Sequence, residues 1–233
     1  MELFHQGFVV VGEKLQHTAG RRRVGDWIGR VHDGFTSDVA HACGTKDIGR
    51  CRSSLQFAIR HPGLCRALVL LVPADYLPEG TSIHGGAVVR AMVNSDFAGW
   101  AVLKLMTTMP GAMAGMMLGT DAAVVRAADP GEKARVQQVL EHLLPISPRI
   151  AGMNFDVKTA AIREQYPLAK IACPVLTISA EDDRFGTASR ARYIAASVPG
   201  GRAIIFPTGG HALVGRYGDA LHEITSFLQK EKP

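Results

Sequence analysis

At 233 residues, with 47% hydrophobic and 20% charged, the chain has the length and composition of one sizeable globular core, and intrinsic disorder is excluded as the default. A net charge of +5 and a pI near 9.2 raise the question of a nucleic-acid partner, but the basic residues are scattered. Their one dense run, Arg21-Arg22-Arg23, has no aromatic neighbours and reads as a solvated or disordered stretch, so no nucleic-acid partner is expected.

Taken in chain order, Phe8-Val-Val-Val11 is strand-like, but the residues that follow mix Gly, Arg, His and Asp without sustained periodicity. No second strand is identified there, and residues 1–52 are read as an irregular N-terminal segment. From Ser53 the pattern becomes regular. Leu55, Ala58 and Ile59 have helical i, i+3, i+4 spacing, and His61-Pro62-Gly63 ends that helix. The continuous apolar run Ala67-Leu-Val-Leu-Leu-Val72 then fits a strand covered on both faces, as in a parallel sheet.

The stretch from about Leu77 to Tyr166, rich in Ala, Met and Gly, reads as several helices. Met106, Met109, Met113, Met116 and Met117 cluster within it, and their flexible thioethers suit either packing between helices or a lid over an apolar pocket. After Pro174 the alternation resumes with the strand Val175-Leu-Thr-Ile-Ser179. A helix follows whose residues Ala188, Ala191, Ala195 and Val198 share one face. Ala203-Ile-Ile-Phe206 is expected to be another buried strand. The last helix aligns Tyr217, Ala220, Leu221, Ile224, Phe227 and Leu228 in one stripe. Strand, helix, strand, helix in this order predicts a parallel α/β layer architecture.

No apolar run reaches the roughly 18 residues of a membrane helix, and the start of the chain lacks the basic and long apolar regions of a signal peptide. A cytoplasmic protein with no membrane partner is expected. Cys43, Cys51, Cys65 and Cys173 form no C-x-x-C pair, and the histidines have no H-E-x-x-H spacing. Neither a disulfide framework nor a metal site is indicated, and no cofactor is expected.

Two short motifs follow predicted strands at their C-terminal ends, where open α/β sheets carry their functional groups. Ser179-Ala-Glu-Asp-Asp-Arg184 offers Asp183, and Pro207-Thr-Gly-Gly-His-Ala212 offers His211 on a loop that two glycines allow to turn tightly. Taken alone, Asp183 could cap the following helix and His211 could hydrogen-bond locally. Taken together, one helix and one strand apart, they can supply the carboxylate and the imidazole of a hydrolytic triad. Acid before histidine is the chain order of α/β-hydrolases.

These residues carry a family resemblance. Ser54-Leu-Gln-Phe-Ala-Ile-Arg-His-Pro62 with Cys65-Arg-Ala-Leu-Val-Leu-Leu71 resembles the helix after the nucleophile and the next strand of the α/β-hydrolase fold superfamily. Cys173-Pro-Val-Leu-Thr-Ile-Ser-Ala-Glu-Asp-Asp183 resembles its acid strand and loop, and Gly209-Gly-His211 its histidine loop. The resemblance runs from Ser53 to Leu228. It implies a parallel-sheet α/β core formed by residues 53–76 and 167–233, a helical lid insertion over 77–166, incomplete N-terminal strands, and hydrolysis of a small apolar acyl substrate through an acyl-enzyme. Asp183 and His211 would be its catalytic acid and histidine.

The nucleophile is unknown. The superfamily's G-x-S-x-G turn precedes the helix containing Leu55, and alignment of that helix places Ile48 of Asp47-Ile-Gly-Arg-Cys51 at the serine position. Gly80-Thr-Ser-Ile-His-Gly85 is one residue too long, Ser53 and Ser54 fall inside the helix, and Cys51 lacks flanking glycines. If Ile48 to Cys51 are encoded ATC GGC CGG TGC, the frame one base forward reads Ser-Ala-Gly-Ala at this place. Residues before about Arg52 would then come from a shifted frame or a wrongly chosen start. Two functional readings follow: a hydrolase of an ester or similar acyl bond, and a hydrolase-like protein that has lost catalysis or binds a small ligand.

Overall fold

The computed structural model describes residues 8–11, 39–40, 50–73, 96–97, 100–101, 104, 118–141 and 166–230. The described elements are β1 (Phe8–Val11), β2 (Val39–Ala40), α1 (Arg50–Arg60), β3 (Ala67–Leu71), α2 (Ala122–Ala127), α3 (Pro130–Glu141), β4 (Val175–Ala180), α4 (Thr187–Ser197), β5 (Arg202–Phe206) and α5 (Tyr217–Lys230). The strands form one sheet in the order β2-β1-β3-β4-β5.

Strands β3, β4 and β5 run parallel, with Leu68 opposite Val175 and Leu176 opposite Arg202. The alternation of strand and helix produces this arrangement, because each connection must cross back over the sheet before the next parallel strand. At the other side of β3, β1 pairs antiparallel, Val9 facing Val69, and β2 pairs antiparallel to β1. Phe8–Val11 is the strand its apolar run suggests. The expectation that no second strand lies in the N-terminal segment is corrected by β2, whose two residues are too few to leave a periodic signal. Arg50, Cys51 and Arg52, assigned to the irregular segment, form the first turn of α1.

The pleat of β4 explains both faces of the core. All six of its residues are buried. Leu176, Ile178 and Ala180 point to one face, where they pack with Val69, Ala220 and Phe227 beneath α5. On the other face Val175 packs with Leu55, Ala58, Leu68, Leu70, Ile194 and Val198 from β3, α1, α4 and the end of α4. Thr177 reaches the same side, and its hydroxyl donates to the Ala191 carbonyl of α4 at 2.9 Å. The stripe of Ala188, Ala191, Ala195 and Val198 is buried, as its spacing predicts. The run Ala203-Ile-Ile-Phe206 is not a buried strand. It ends the described sheet, with Arg202 and Ala203 exposed and Ile204 to Phe206 half-buried, because an edge strand is flanked on one side only.

Within 77–166, residues 96–97, 100–101 and 104 are helical, and α2 and α3 follow the bends at Leu118–Thr120. The methionine cluster, Arg21–Arg23, Ile48 and the Gly80–Gly85 segment lie outside the described residues. Among the described residues no helix is long and apolar enough to cross a membrane, and no group of potential metal ligands occurs.

Because β4 is covered on both faces, it should be the most sensitive element. Leu176→Ala, at a fully buried position, is expected to cost about 3 kcal/mol in urea unfolding; Ala203→Gly at the exposed edge should cost less than about 1 kcal/mol.

Candidate active site

The parallel pairing of β4 with β5 places their C-terminal loops side by side, and the Glu181 amide donates to the Phe206 carbonyl at 2.8 Å to join them. Beyond β4 the chain turns at once, with the Asp183 amide donating to Ala180 O and the Gly186 amide to Asp183 O. Gly186, at φ +70°, is the N-cap of α4. Asp183 is therefore not the helix cap. Its side chain is fully buried, and the donors around it converge on the carboxylate.

Oδ1 of Asp183 accepts the Phe185 amide at 2.9 Å. Oδ2 accepts the Thr187 hydroxyl and lies 3.0 Å from His211 Nδ1. Thr187 in turn meets Ser179 Oγ at 2.7 Å. With its proton committed to Asp183, Thr187 can accept from Ser179, so the hydroxyls form a short chain ending on the carboxylate. Asp183 Oδ2 accepts from Thr187, and the tautomer of His211 that donates from Nδ1 completes the set. Nε2 is then the acceptor nitrogen, and the ring is about one-fifth exposed. Phe185 and the imidazole meet edge to face at a centroid distance of 5.0 Å and an angle of 75°, limiting rotation of the histidine ring.

The histidine loop is held from three directions. His211 N donates to Leu118 O at 2.7 Å, and Arg184 N donates to Gly119 O at 3.0 Å, so the Leu118–Thr120 bend bridges the acid and histidine loops. The second hold is Asp182, the neighbour of the acid itself, whose Oδ1 accepts the Gly210 amide at 2.8 Å and whose Oδ2 accepts the Thr120 hydroxyl. The third comes from α3. Glu132 binds Arg135 through both carboxylate oxygens at 2.7 Å, and each partner also reaches the histidine loop. Arg135 Nη2 donates to Ala212 O at 2.9 Å, and Glu132 Oε1 accepts the Gly215 amide at 2.9 Å. The Arg135 guanidinium also stacks 4.9 Å above Tyr217, whose phenol is pushed above its ordinary value by burial.

Glycine is required where these segments touch. A Cβ on Gly210, which has φ +56°, would lie 2.5 Å from Leu118 O and 2.5 Å from Thr120 Cβ. A Cβ on Gly119, at φ +64°, would lie 2.9 Å from Asp183 Oδ1. The Gly-Gly pair before His211 thus does more than turn the chain, since one member lets the bend at Leu118 approach.

The structure brings together the two residues singled out from the sequence, Asp183 and His211. Ser53 and Ser54 lie in the first half of α1, where Ser54 is fully buried. Cys51 is half-buried in the same helix. None occupies a strand-to-helix turn. Sequence patterns alone do not single out Asp182, Thr187, Glu132 and Arg135. Asp182 is visible as the other half of an Asp-Asp pair, but nothing marks Glu132 and Arg135 in a helix of otherwise ordinary composition.

No protein-family model matches the chain. Over 44 residues, 19% of its length, it is 48% identical to proteins of Klebsiella pneumoniae and Klebsiella variicola named as a carbamate hydrolase, RutD. The matched stretch is 16% of those relatives' length. Among solved structures it is similar to an α/β-hydrolase fold protein from Nakamurella multipartita, at 19% identity and a TM-score of 0.51 over 75% of this chain and 64% of that one. It is also similar to a hydrolase from Pseudomonas aeruginosa, at 23% identity and a TM-score of 0.48 over 76% of this chain and 61% of the other. The chain thus spans less than two thirds of these two solved structures.

Two substitutions test the packing of the loop. Gly210→Ala is expected to cost at least about 2 kcal/mol, from positive φ and the contacts with Leu118 and Thr120. Gly63→Ala, which meets nothing within 4 Å, should be near neutral in the same thermal unfolding assay. Glu132→Ala leaves the half-buried Arg135 guanidinium without its carboxylate and should cost about 2 kcal/mol, measured by denaturant titration.

Proposed function

Because this chain has the α/β-hydrolase fold, we propose that Asp183 and His211 are the acid and base of a hydrolase acting on an ester or similar acyl bond by a Ser-His-Asp type mechanism. The observation that carries the proposal is the 3.0 Å contact between His211 Nδ1 and an Asp183 carboxylate with no solvent exposure. Asp183 fixes the imidazole tautomer and stabilises its protonated form, while Nε2 takes a proton from the attacking group and returns it to the leaving group. The residues around 77–166 act as a lid. Supporting this, Leu118–Thr120 and α3 both bind the loop from which His211 emerges.

The substrate class is a small apolar acyl compound. The short likeness to proteins named as carbamate hydrolases adds carbamates to the bonds worth assaying. The attacking serine is not Ser53 or Ser54, since both are helical and Ser54 is fully buried. Ile48 stands at the aligned position. The nucleophile is thus unassigned in the 233-residue chain, and the second reading is a hydrolase-like protein that does not turn over. The reading frame that gives Ser-Ala-Gly before Arg52 restores the first.

A fluorophosphonate probe and short p-nitrophenyl esters separate these states. The 233-residue chain should remain unlabelled and hydrolyse esters poorly. The protein with the alternative frame restored, and any upstream coding sequence it reveals, should be labelled and active, with His211→Ala lowering kcat by at least about 10³-fold. Strong hydrolysis by the present chain, lost in His211→Ala yet kept in Ser53→Ala and Ser54→Ala, would show that the nucleophile lies elsewhere.

A further inference from the structure

Two cysteines far apart in the sequence meet inside the protein. Cys65 precedes β3 and Cys173 precedes β4, the central parallel pair of the sheet. Both are buried to 5% exposure in the core cluster beneath α1 and α4, and their sulfurs lie 3.2 Å apart without being bonded. A disulfide requires about 2.05 Å, so the sulfurs have roughly 1.2 Å to close. Each cysteine sits just outside its strand, beside Arg66 and Pro174 respectively.

We propose that Cys65 and Cys173 form a reversible disulfide under peroxide, making this pair an oxidative modification site that staples the entry ends of β3 and β4. One cysteine attacks a peroxide oxygen; the O–O bond breaks, giving a sulfenic acid and one water. The second sulfur then attacks the first, the S–O bond breaks and a second water leaves. Two thiols are oxidised and one hydrogen peroxide is reduced to two waters, so no further reactant is needed. The two sulfurs share a hydrogen bond at 3.2 Å, so whichever is oxidised first has the other in contact to resolve it. Peroxide is small enough to reach the pair through local opening of the core.

The connection would close a loop of 108 residues containing the whole 77–166 insertion. It would tie the two separated portions of the α/β core to each other independently of that insertion. Its consequence is stability rather than chemistry at His211, and it does not depend on the proposed activity.

The test uses the full chain, reduced, then exposed to equimolar hydrogen peroxide, alkylated with N-ethylmaleimide and digested with trypsin. The expected product is residues 61–66 linked to 171–184, with the intact mass reduced by two hydrogens before alkylation. Thermal unfolding should rise by roughly 5 °C or more and return on dithiothreitol treatment. C51S should leave both results unchanged, and C65S should remove both. The peptide mapping on the unsubstituted chain stands even where C65S fails to fold. Alkylation of both Cys65 and Cys173 after peroxide and unfolding, or linkage of either to Cys43 or Cys51 instead, would overturn the proposal.

Discussion

The buried carboxylate of Asp183 is the constraint around which the rest of the site is arranged. A carboxyl group without solvent exposure is tolerable only when hydrogen-bond partners replace its water, and here the Phe185 amide, the Thr187 hydroxyl and His211 do so. Each donor fixes a piece of chain: Phe185 the acid turn, Thr187 the first turn of α4, and His211 the loop after β5. The local fold and the candidate chemistry therefore share one set of hydrogen bonds. Loss of any donor would unsettle both.

Two adjacent aspartates divide the work around this centre. Asp183 faces inward to the imidazole, whereas Asp182 turns toward Gly210 and Thr120 and holds the backbone beside the histidine. The Glu132–Arg135 pair repeats that strategy from α3, using one ion pair to bind both an acceptor and a donor of the same loop. His211 is thus supported by segments before and after β4 in sequence. Its position depends on the 118–135 segment as well as on the sheet, even though that segment supplies no group that touches the imidazole nitrogens among the described contacts.

Much of this is legible in the sequence because local patterns carry it. Continuous apolar runs mark β3 and β4, since strands covered on both faces bury all or nearly all of their residues, and small residues at helical spacing mark the face of α4. Asp183 and His211 stand out because each closely follows such a run. The same reasoning misjudges β5: the run Ala203 to Phe206 is apolar enough for a centre, but burial depends on having a neighbour on each side, which composition does not encode. Two-residue β2 is too short for any period to register. Glu132 and Arg135 are invisible for a different reason, because their partners are backbone atoms some 80 residues away and backbone atoms leave no mark in a sequence.

The two halves of a hydrolytic triad also differ in how they are encoded. The acid and the histidine lie on consecutive loops of one β-α-β unit, so β4, α4 and β5 are sufficient to set their separation. In the α/β-hydrolase fold a nucleophile comes from a different crossover, so the β4-α4-β5 unit does not set its place. Damage upstream of α1 can therefore remove the attacking group while leaving the Asp183–His211 contact unstrained. The carboxylate, the imidazole and the glycines that admit Leu118 and Thr120 remain mutually satisfied without it. This is why the Asp183–His211 contact here speaks for the pairing of those two side chains, and for nothing outside the β4-α4-β5 unit.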